Sequence, residues 1–354
     1  MLWPEQRQAD LTQKIQRLVA SPVRRYCYLH STILHDSLPK ALSENPHAFE
    51  DTDYIVGPSW QQVEIKNSYD APCFYVLTAH GSDISELIWG IRAKAHRDSV
   101  FAIWFWDNHV AYNDNYKTAL AADLCYISHN ISVPGYLTNP VSAVVEHIPA
   151  CCAQFGRQEL TELVQNSCAP RTHKAIFNYV IYDKAPRSQL IHALSHQLNA
   201  CADFKLMESH DRNRYWGQTR NQRVSEWTSY KSSVILPLVN DLSTRVFDAL
   251  ATGQVPVIPD NVHDLDNVIP PHVQQDLGIV RFHEFSPQAI EEAIGQALNE
   301  FDRQGHEGVI KRSKFVSDFH MVGHRIHAML HSITAKQYNP IFGTGALGLG
   351  VYAR

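Results

Sequence analysis

Short apolar runs alternate with helical patterns through the first half of the chain. The runs 73–77 and 101–106 are almost continuously apolar, which is typical of strands buried on both faces of a sheet. Between them, 82–96 repeats apolar residues at the spacing of an amphipathic helix. The strands predicted in this half are 54–57, 73–77, 101–106, 123–128 and 144–148, and the helices are 82–96 and 116–122. Strands that alternate with helices predict a parallel, doubly wound sheet.

The same alternation restarts after a polar passage, 156–174, which we interpret as the region of an interdomain linker. The strands predicted in this half are 175–181, 204–207, 234–237 and 279–282, and the helices are 187–200, one that begins at 286–287 and a closing helix over 315–333. The sequence therefore predicts an α/β protein with two doubly wound domains, 1–165 and 170–318. A terminal helix and tail, 319–354, follow them.

Length, net charge and cysteine pattern limit the classes of protein to which this chain could belong. A length of 354 residues suits two domains of about 150 residues each. A net charge of −5 without a long basic run argues against nucleic acid as an obligate partner. The seven cysteines include no C-x-x-C pair, which fits a reducing compartment. The first residues lack the pattern of a signal peptide, so we expect a cytoplasmic protein, and peripheral association with the inner face of a membrane is compatible with this.

Residues 240–259 predict a capped helix, a glycine stop and a buried strand. Ser243 or Asp241 can cap the helix, because their side-chain oxygens accept from the unpaired amides of the first turn. Gly253 suits the left-handed position just after the helix, and 255–258 is a short apolar strand. The apolar stripe of the helix is formed by Val246, Phe247, Leu250 and Ala251.

The start of this helix has the chemistry of an anion site. Free amides, the hydroxyls of Ser243 and Thr244 and the guanidinium of Arg245 come together in the first turn. Arg245 can grip a phosphate through its planar fork of donors. Asp248 lies about one turn further on, where it can meet a group attached to that phosphate, such as a ribose.

This stretch resembles the donor-site motif of GT-B glycosyltransferases, and it is most similar to the spore-maturation-type and related bacterial surface-polysaccharide enzymes. Many members carry two carboxylates with seven residues between them, the second followed by A-x-x-x-G-x-P-V. Here Asp248 is followed by Ala249 and Gly253, the proline comes one place later at Pro256, and Asn240 stands at the first carboxylate position.

The resemblance implies two Rossmann-like domains that face a central cleft, with the terminal helix crossing back to the first domain. It implies transfer of a sugar from a nucleotide-sugar donor, bound by the second domain, to a glycan or other hydroxyl acceptor met by the first. It also implies that Asp248 holds the nucleotide ribose. No metal or other cofactor is required in this interpretation.

Ligands of open α/β sheets bind beyond the carboxyl ends of the strands, and this rule selects further candidates. On the donor side, Lys184 and Arg187 follow the strand 175–181, and Arg220 and Lys231 precede the strand 234–237. Lys184 and Arg187 can face a diphosphate, and a solvated turn explains them equally well. Arg220 or Lys231 can reach a phosphate, and the sequence does not decide between them.

On the acceptor side, Asp107 and His109 follow the strand 101–106. His80 follows 73–77 and His129 follows 123–128, so both compete for the same role. One of these groups would accept the proton of the acceptor hydroxyl. A packing or surface role is the simpler interpretation of any single histidine.

Two D-x-D matches, at 51–53 and 264–266, do not follow a strand, and we interpret both as structural, with no metal site predicted. Two other functions remain open at this stage. A sugar-nucleotide epimerase of the same two-domain build would convert the donor without an acceptor. A non-catalytic module that binds nucleotide or carbohydrate within a larger protein would carry out no turnover at all.

Overall fold

The computed structural model describes residues 4–21, 25–30, 52–56, 71–78, 83–106, 112–129, 144–152, 155, 160, 162–163, 169–182, 185–208, 220–325 and 328–329. Its contacts divide the chain into two compact units, Met1–Ala150 with Val322–Arg354 and Cys151–Met321. The division falls after Ala150, whereas the sequence placed it between 165 and 170. The terminal segment belongs to the first unit, where the Arg325 guanidinium donates to the carbonyl of Pro149 at 3.0 Å.

The first unit contains a parallel sheet in the order β2-β1-β3-β4-β5-β6 among the described residues. Its strands are β1 (Arg25–His30), β2 (Thr52–Val56), β3 (Cys73–Thr78), β4 (Val100–Phe105), β5 (Leu124–Ile127) and β6 (Val144–His147). Its helices are α1 (Pro4–Ala20), α2 (Asp83–Arg92) and α3 (Tyr112–Ala119). The sequence patterns predicted β2 to β6 and both later helices, but neither α1 nor β1. All six residues of β4 are buried, as its uninterrupted apolar run requires.

Helix α1 packs on this sheet through one apolar stripe and is fixed by ion pairs. Leu11, Ile15 and Leu18 are buried at helical spacing. Lys14 pairs with the half-buried Asp123 at 3.2 Å, and Arg17 pairs with Asp98 at 2.6 Å. The chain that precedes the first strand is therefore part of the unit's core.

The second unit contains a parallel sheet in the order β11-β10-β9-β7-β8 among the described residues. Its strands are β7 (Thr172–Ile181), β8 (Ala202–Glu208), β9 (Tyr230–Val234), β10 (Val255–Pro259) and β11 (Val280–Phe282). Its helices are α4 (Pro186–Gln197), α5 (Arg220–Thr228), α6 (Thr244–Ala251), α7 (Leu265–Val268), α8 (Pro271–Leu277) and α9 (Pro287–Phe319). Both units thus have the parallel α/β architecture that the sequence predicted.

The strand order of the second unit reverses between β7 and β9. From β7 the chain proceeds outward to β8 on one side, and it then returns to build β9, β10 and β11 on the other side. Pairing between β7 and β9 ends at Ile176–Ser233, whereas β7 remains paired with β8 as far as Ile181–Glu208. The two central strands therefore separate at their carboxyl ends, where open α/β sheets bind ligands.

The predicted capped helix, glycine stop and strand at 240–259 are confirmed. Ser243 is the cap of α6 and accepts from the Arg245 amide at 3.3 Å. Gly253 has φ 75° and redirects the chain into β10. Asp241 does not cap the helix, because its carboxylate accepts from the amides of Leu238 and Val239 at 2.8 and 3.0 Å.

The predicted closing helix does not begin at 315. Residue 315 lies inside α9, which starts at Pro287 and continues to Phe319 across a break at Gly305, where φ is 56° and ψ is −147°. After Phe319 the chain is again helical at 322–325. No helix in the part of the chain that the structure describes is long and apolar enough to cross a membrane.

A buried arginine of α9 fixes the distal ends of two other helices. The Arg312 side chain is fully buried, and it donates to the carbonyls of Gly253 at 3.0 Å and Leu277 at 3.2 Å. These carbonyls follow α6 and end α8, where a helix has unsatisfied acceptors and a partial negative charge. Burial lowers the pKa of Arg312 to about 9, so its hydrogen bonds compensate a substantial cost of desolvation.

Replacement of Gly253 by alanine should destabilise the protein, because an L residue is strained at φ 75° and the new methyl group would lie 2.4 Å from Cγ1 of Val309. We expect the free energy of unfolding to fall by about 2 kcal/mol. Gly295→Ala is the matched control, since nothing lies within 4 Å of that position in α9, and it should raise the free energy of unfolding by about 0.5–1 kcal/mol. Urea titration followed by circular dichroism measures both. Equal losses in the two variants would contradict this account of Gly253.

Candidate functional site

The ladder between β7 and β9 ends early and leaves a gap between these strands at their carboxyl ends, and we call this region the switch-point crevice. It is formed by Tyr179 of β7, Arg187 of α4, Arg245 of α6 and the loop 235–243. Backbone groups that face the crevice have lost their strand partners. The Ala175 amide donates to the Cys201 carbonyl on the β8 side, so the carbonyls of the even-numbered β7 residues face the β9 side.

Tyr179 satisfies the β9 side of this gap. Its side chain is 1% exposed, and its hydroxyl donates to the carbonyl of Val234 at 2.8 Å. The same hydroxyl accepts from the Leu236 amide at 2.7 Å. A buried backbone group without a partner would cost free energy, so one phenol replaces the hydrogen bonds that a closed ladder would have made.

The two arginines satisfy the β7 side. Arg245 donates through Nη1 to the carbonyl of Asn178, and Arg187 donates through Nη2 to the carbonyl of Val180 at 3.5 Å. Both guanidiniums also lie against the ring of Tyr179, with Cζ at 4.7 Å from the ring centroid for Arg245 and 5.2 Å for Arg187. Cations at these distances are attracted to the face of an aromatic ring.

Two helices begin at the edge of the crevice. α4 follows β7 with Pro186 at its first position and no side-chain cap, and α6 follows β9 with Ser243 as its cap. A helix N-terminus carries unpaired amides and a partial positive charge. Their fields add to those of the two guanidiniums.

The electrostatics of the crevice favour an additional anion. Burial lowers the pKa of Arg187, and the positive charge of Arg245 lowers it further. Burial raises the pKa of Tyr179, so the phenol is neutral at pH 7 and can donate its proton to Val234. Asp241 supplies one nearby negative charge, but its Oδ1 already accepts from the amides of Leu238 and Val239. Nε of Arg187 is buried and has no hydrogen-bond partner within the described ranges.

The structure brings together four of the predicted donor-side residues. Arg187, Ser243, Thr244 and Arg245 lie at the starts of α4 and α6, beside the crevice. Lys184 lies outside the described residues. Arg220 is the first residue of α5, and its side chain is also outside the described part.

Lys231 is not part of this site, contrary to the prediction. It lies near the start of β9, at the amino edge of the sheet, and its Nζ binds the carboxylate of Asp302 at 2.6 Å. Lys231 lies at the amino end of β9, whereas ligands of such sheets bind at the carboxyl ends. Asp248 is 1% exposed, so its carboxylate is buried within the second unit. Its contact with a ribose stays a prediction.

The acceptor-side residues Asp107, His109 and His80 lie outside the described residues, so their roles also stay predictions. His129 follows β5 and is 4% exposed, which places this competitor among the buried side chains. The strands β3, β4 and β5 are neighbours in the sheet of the first unit, and their carboxyl ends lie at one edge.

Within the described ranges, no three side chains of His, Cys, Asp or Glu are grouped so that they could hold a metal ion. Asp266, from the second D-x-D match, pairs with Arg281 at 2.9 Å and accepts from Gln274 at 2.8 Å. Its role is therefore structural, as predicted. The first match begins at Asp51, outside the described residues.

Tyr179 is the residue of the crevice that the sequence argument did not identify. The sequence contains only a weak signal for it. Asn178 and Tyr179 place polar atoms in the otherwise apolar run 175–181, and a polar atom in a strand buried on both faces must find a partner. Tyr179 binds backbone groups on the β9 side and contacts two cations with its ring. Both roles depend on contacts between segments that are distant in sequence.

No family model and no curated protein sequence matches this chain. Among solved structures, it is similar to the catalytic domain of starch synthase IV from Arabidopsis thaliana bound to ADP and acarbose, with 10% identity, a TM-score of 0.48 and coverage of 75% of this chain and 73% of that one. It is also similar to a mutant O-GlcNAc transferase from Thermobaculum terrenum, with 12% identity, a TM-score of 0.48 and coverage of 95% and 75%.

A third similar structure is sucrose-phosphate synthase from Thermosynechococcus elongatus, with 10% identity, a TM-score of 0.44 and coverage of 83% of this chain and 95% of that one. These neighbours are GT-B glycosyltransferases, the group that the motif at 240–259 resembles. At these identities the likeness is one of fold.

Arg245→Ala should weaken the binding of a nucleoside diphosphate by about 1.5–3 kcal/mol, the usual worth of a hydrogen bond to a charged group. Lys231→Ala is the matched control, because it removes a cation from the same sheet at the opposite edge, and its affinity should equal that of the wild type. Isothermal titration calorimetry measures both. Unchanged affinity of Arg245→Ala for every nucleotide tested would remove Arg245 from the site.

Proposed function

We propose that this protein is a glycosyltransferase that moves a sugar from a nucleotide-sugar donor to a glycan or another hydroxyl acceptor. The observation that carries the proposal is the convergence of Arg187 and Arg245 on one aromatic ring at the carboxyl ends of β7 and β9, where α4 and α6 begin. This arrangement suits a ligand with a polyanionic centre and neutral groups on either side. A nucleoside diphosphate linked to a sugar has that distribution of charge.

The chemistry follows from where charge develops. When the bond between the anomeric carbon and the phosphate oxygen breaks, the electron pair remains on the phosphate, which leaves with an additional negative charge. Arg187 and Arg245 are already fixed by strand carbonyls, so they stabilise this charge without reorganising during the reaction. We therefore propose a mechanism that needs neither a metal ion nor another cofactor.

The acceptor hydroxyl loses its proton as it attacks the anomeric carbon, so a base in the first unit completes the proposal. Asp107, His109 and His80 are the proposed candidates, because each directly follows a strand of that unit. The reaction would take place in the cytoplasm, at the inner face of the membrane if the acceptor is a surface polysaccharide.

A panel of donors tests the proposal. Uridine, guanosine, thymidine and cytidine diphosphates and their sugar conjugates are screened by thermal shift, and a ligand that binds the folded protein should raise the unfolding temperature. The selected donor, with the sugar radiolabelled, is then incubated with hydroxyl acceptors. Labelled glycoside supports transfer. An isomerised donor sugar without glycoside would indicate an epimerase, and binding without turnover would indicate a non-catalytic module.

Arg187→Ala should lower kcat for donor cleavage, with or without an acceptor, on the order of 10²-fold, as expected when one preorganised donor to a developing anion is lost. Arg303→Ala is the control, since that guanidinium is exposed and pairs with Glu300 on the surface of α9. Steady-state rates of release of the nucleoside diphosphate measure the effect. If Arg187→Ala and Arg245→Ala both retained wild-type turnover, the leaving-group role of the crevice would be wrong.

A further inference from the structure

We propose that Tyr179 is the positioning residue of the anion site, and that its ring holds the guanidiniums of Arg187 and Arg245 at a spacing suited to one diphosphate group. The inference rests on the proposed donor site. It adds the residue that sets the geometry of that site.

The first support is that two like charges share one ring. Cζ of Arg245 lies 4.7 Å from the centroid of Tyr179, and Cζ of Arg187 lies 5.2 Å from it. The positive charge of Arg245 contributes to lowering the pKa of Arg187, so the two guanidiniums repel each other, and the negative charge at the faces of the ring offsets part of that repulsion. Without the ring, each long side chain would gain freedom and the pair would separate.

The second support is that the ring itself cannot move. Tyr179 is 1% exposed, and its hydroxyl is bound to the Val234 carbonyl and the Leu236 amide, both on the β9 side. The residue is therefore fixed at its backbone by β7 and at its hydroxyl by the β9 segment. A side chain held at both ends is a suitable platform for flexible cations.

The third support is that both arginines keep donors that have no partner among the described residues. A guanidinium has five N–H donors. Arg245 uses one on the Asn178 carbonyl and Arg187 uses one on the Val180 carbonyl, so the residues on both sides of Tyr179 hold the two cations. Nε of Arg187 is buried without a partner among the described residues. Two adjacent guanidiniums with unused donors match two linked phosphoryl groups better than one.

Two substitutions at the same position separate the ring from the hydroxyl. Tyr179→Phe keeps the ring but leaves the Val234 carbonyl and the Leu236 amide without their partner. Tyr179→Leu removes both the ring and the hydroxyl. We expect both variants to lose thermal stability, because both lose the same two hydrogen bonds. Only Tyr179→Leu should lose the anion site.

Affinity is measured by calorimetric titration with inorganic pyrophosphate and with the nucleoside diphosphate that the wild type selects. Tyr179→Phe keeps the ring but loses its hydroxyl anchor, so it should bind both ligands no more than about threefold more weakly than the wild type, whereas Tyr179→Leu should bind at least about tenfold more weakly. In the background of Arg245→Ala, Tyr179→Leu should cause a much smaller further loss, because the residues act as a unit.

Phe177→Leu is the matched control. Phe177 lies two residues earlier on the same face of β7, is fully buried and stacks on Phe204 at 4.4 Å. This variant should lose stability but keep the pyrophosphate affinity of the wild type, which shows that loss of a core aromatic ring alone does not disable the site.

The outcomes distinguish the two proposals. If Tyr179→Phe lost as much affinity as Tyr179→Leu, or if Tyr179→Leu bound like the wild type, the positioning role would be overturned while the donor site would stand. If the wild type bound neither pyrophosphate nor any nucleoside diphosphate, the donor site itself would be wrong and this inference would fail with it.

Discussion

The early end of the ladder between β7 and β9 is the constraint on which the site depends. Beyond Ile176 and Ser233 the strands are no longer paired, and the backbone groups that face the gap need other partners. The fold supplies partners for four of them from side chains: Tyr179 serves the carbonyl of Val234 and the amide of Leu236, and two arginines serve the carbonyls of Asn178 and Val180. The contacts that satisfy the carbonyls of β7 are therefore the same contacts that fix the positions of the two cations.

With this arrangement the crevice keeps an excess of positive charge. Burial and mutual repulsion disfavour two neighbouring guanidiniums, and the starts of α4 and α6 add further positive potential. The ring of Tyr179 and the carboxylate of Asp241 offset part of this cost. An incoming polyanion would offset the rest, so the free-energy cost of holding two buried cations together would fall when the ligand binds.

Local chemistry made part of this structure predictable. The helix with Arg245 at its start was identified because its cap, apolar stripe and glycine stop are contiguous in sequence. The strand before it was placed at 234–237, whereas β9 spans Tyr230–Val234. The reason is that Ser232 is fully buried and donates to the Val255 carbonyl at 2.8 Å, so a polar residue occupies a core position. Tyr179 and Lys231 could not be assigned correctly, because their roles are set by distant contacts and by which edge of the sheet they occupy.

Arg312 is connected with the site through α6. Its guanidinium holds the carbonyl that follows α6, and the other end of this short helix carries Arg245. A helix of eight residues is rigid over its length, so a shift at its last turn is transmitted to its first. A substitution at position 312 would therefore change how firmly the first turn of α6, with Arg245, is held in place. Selection on the proposed donor site would then preserve a side chain that does not itself contact the donor.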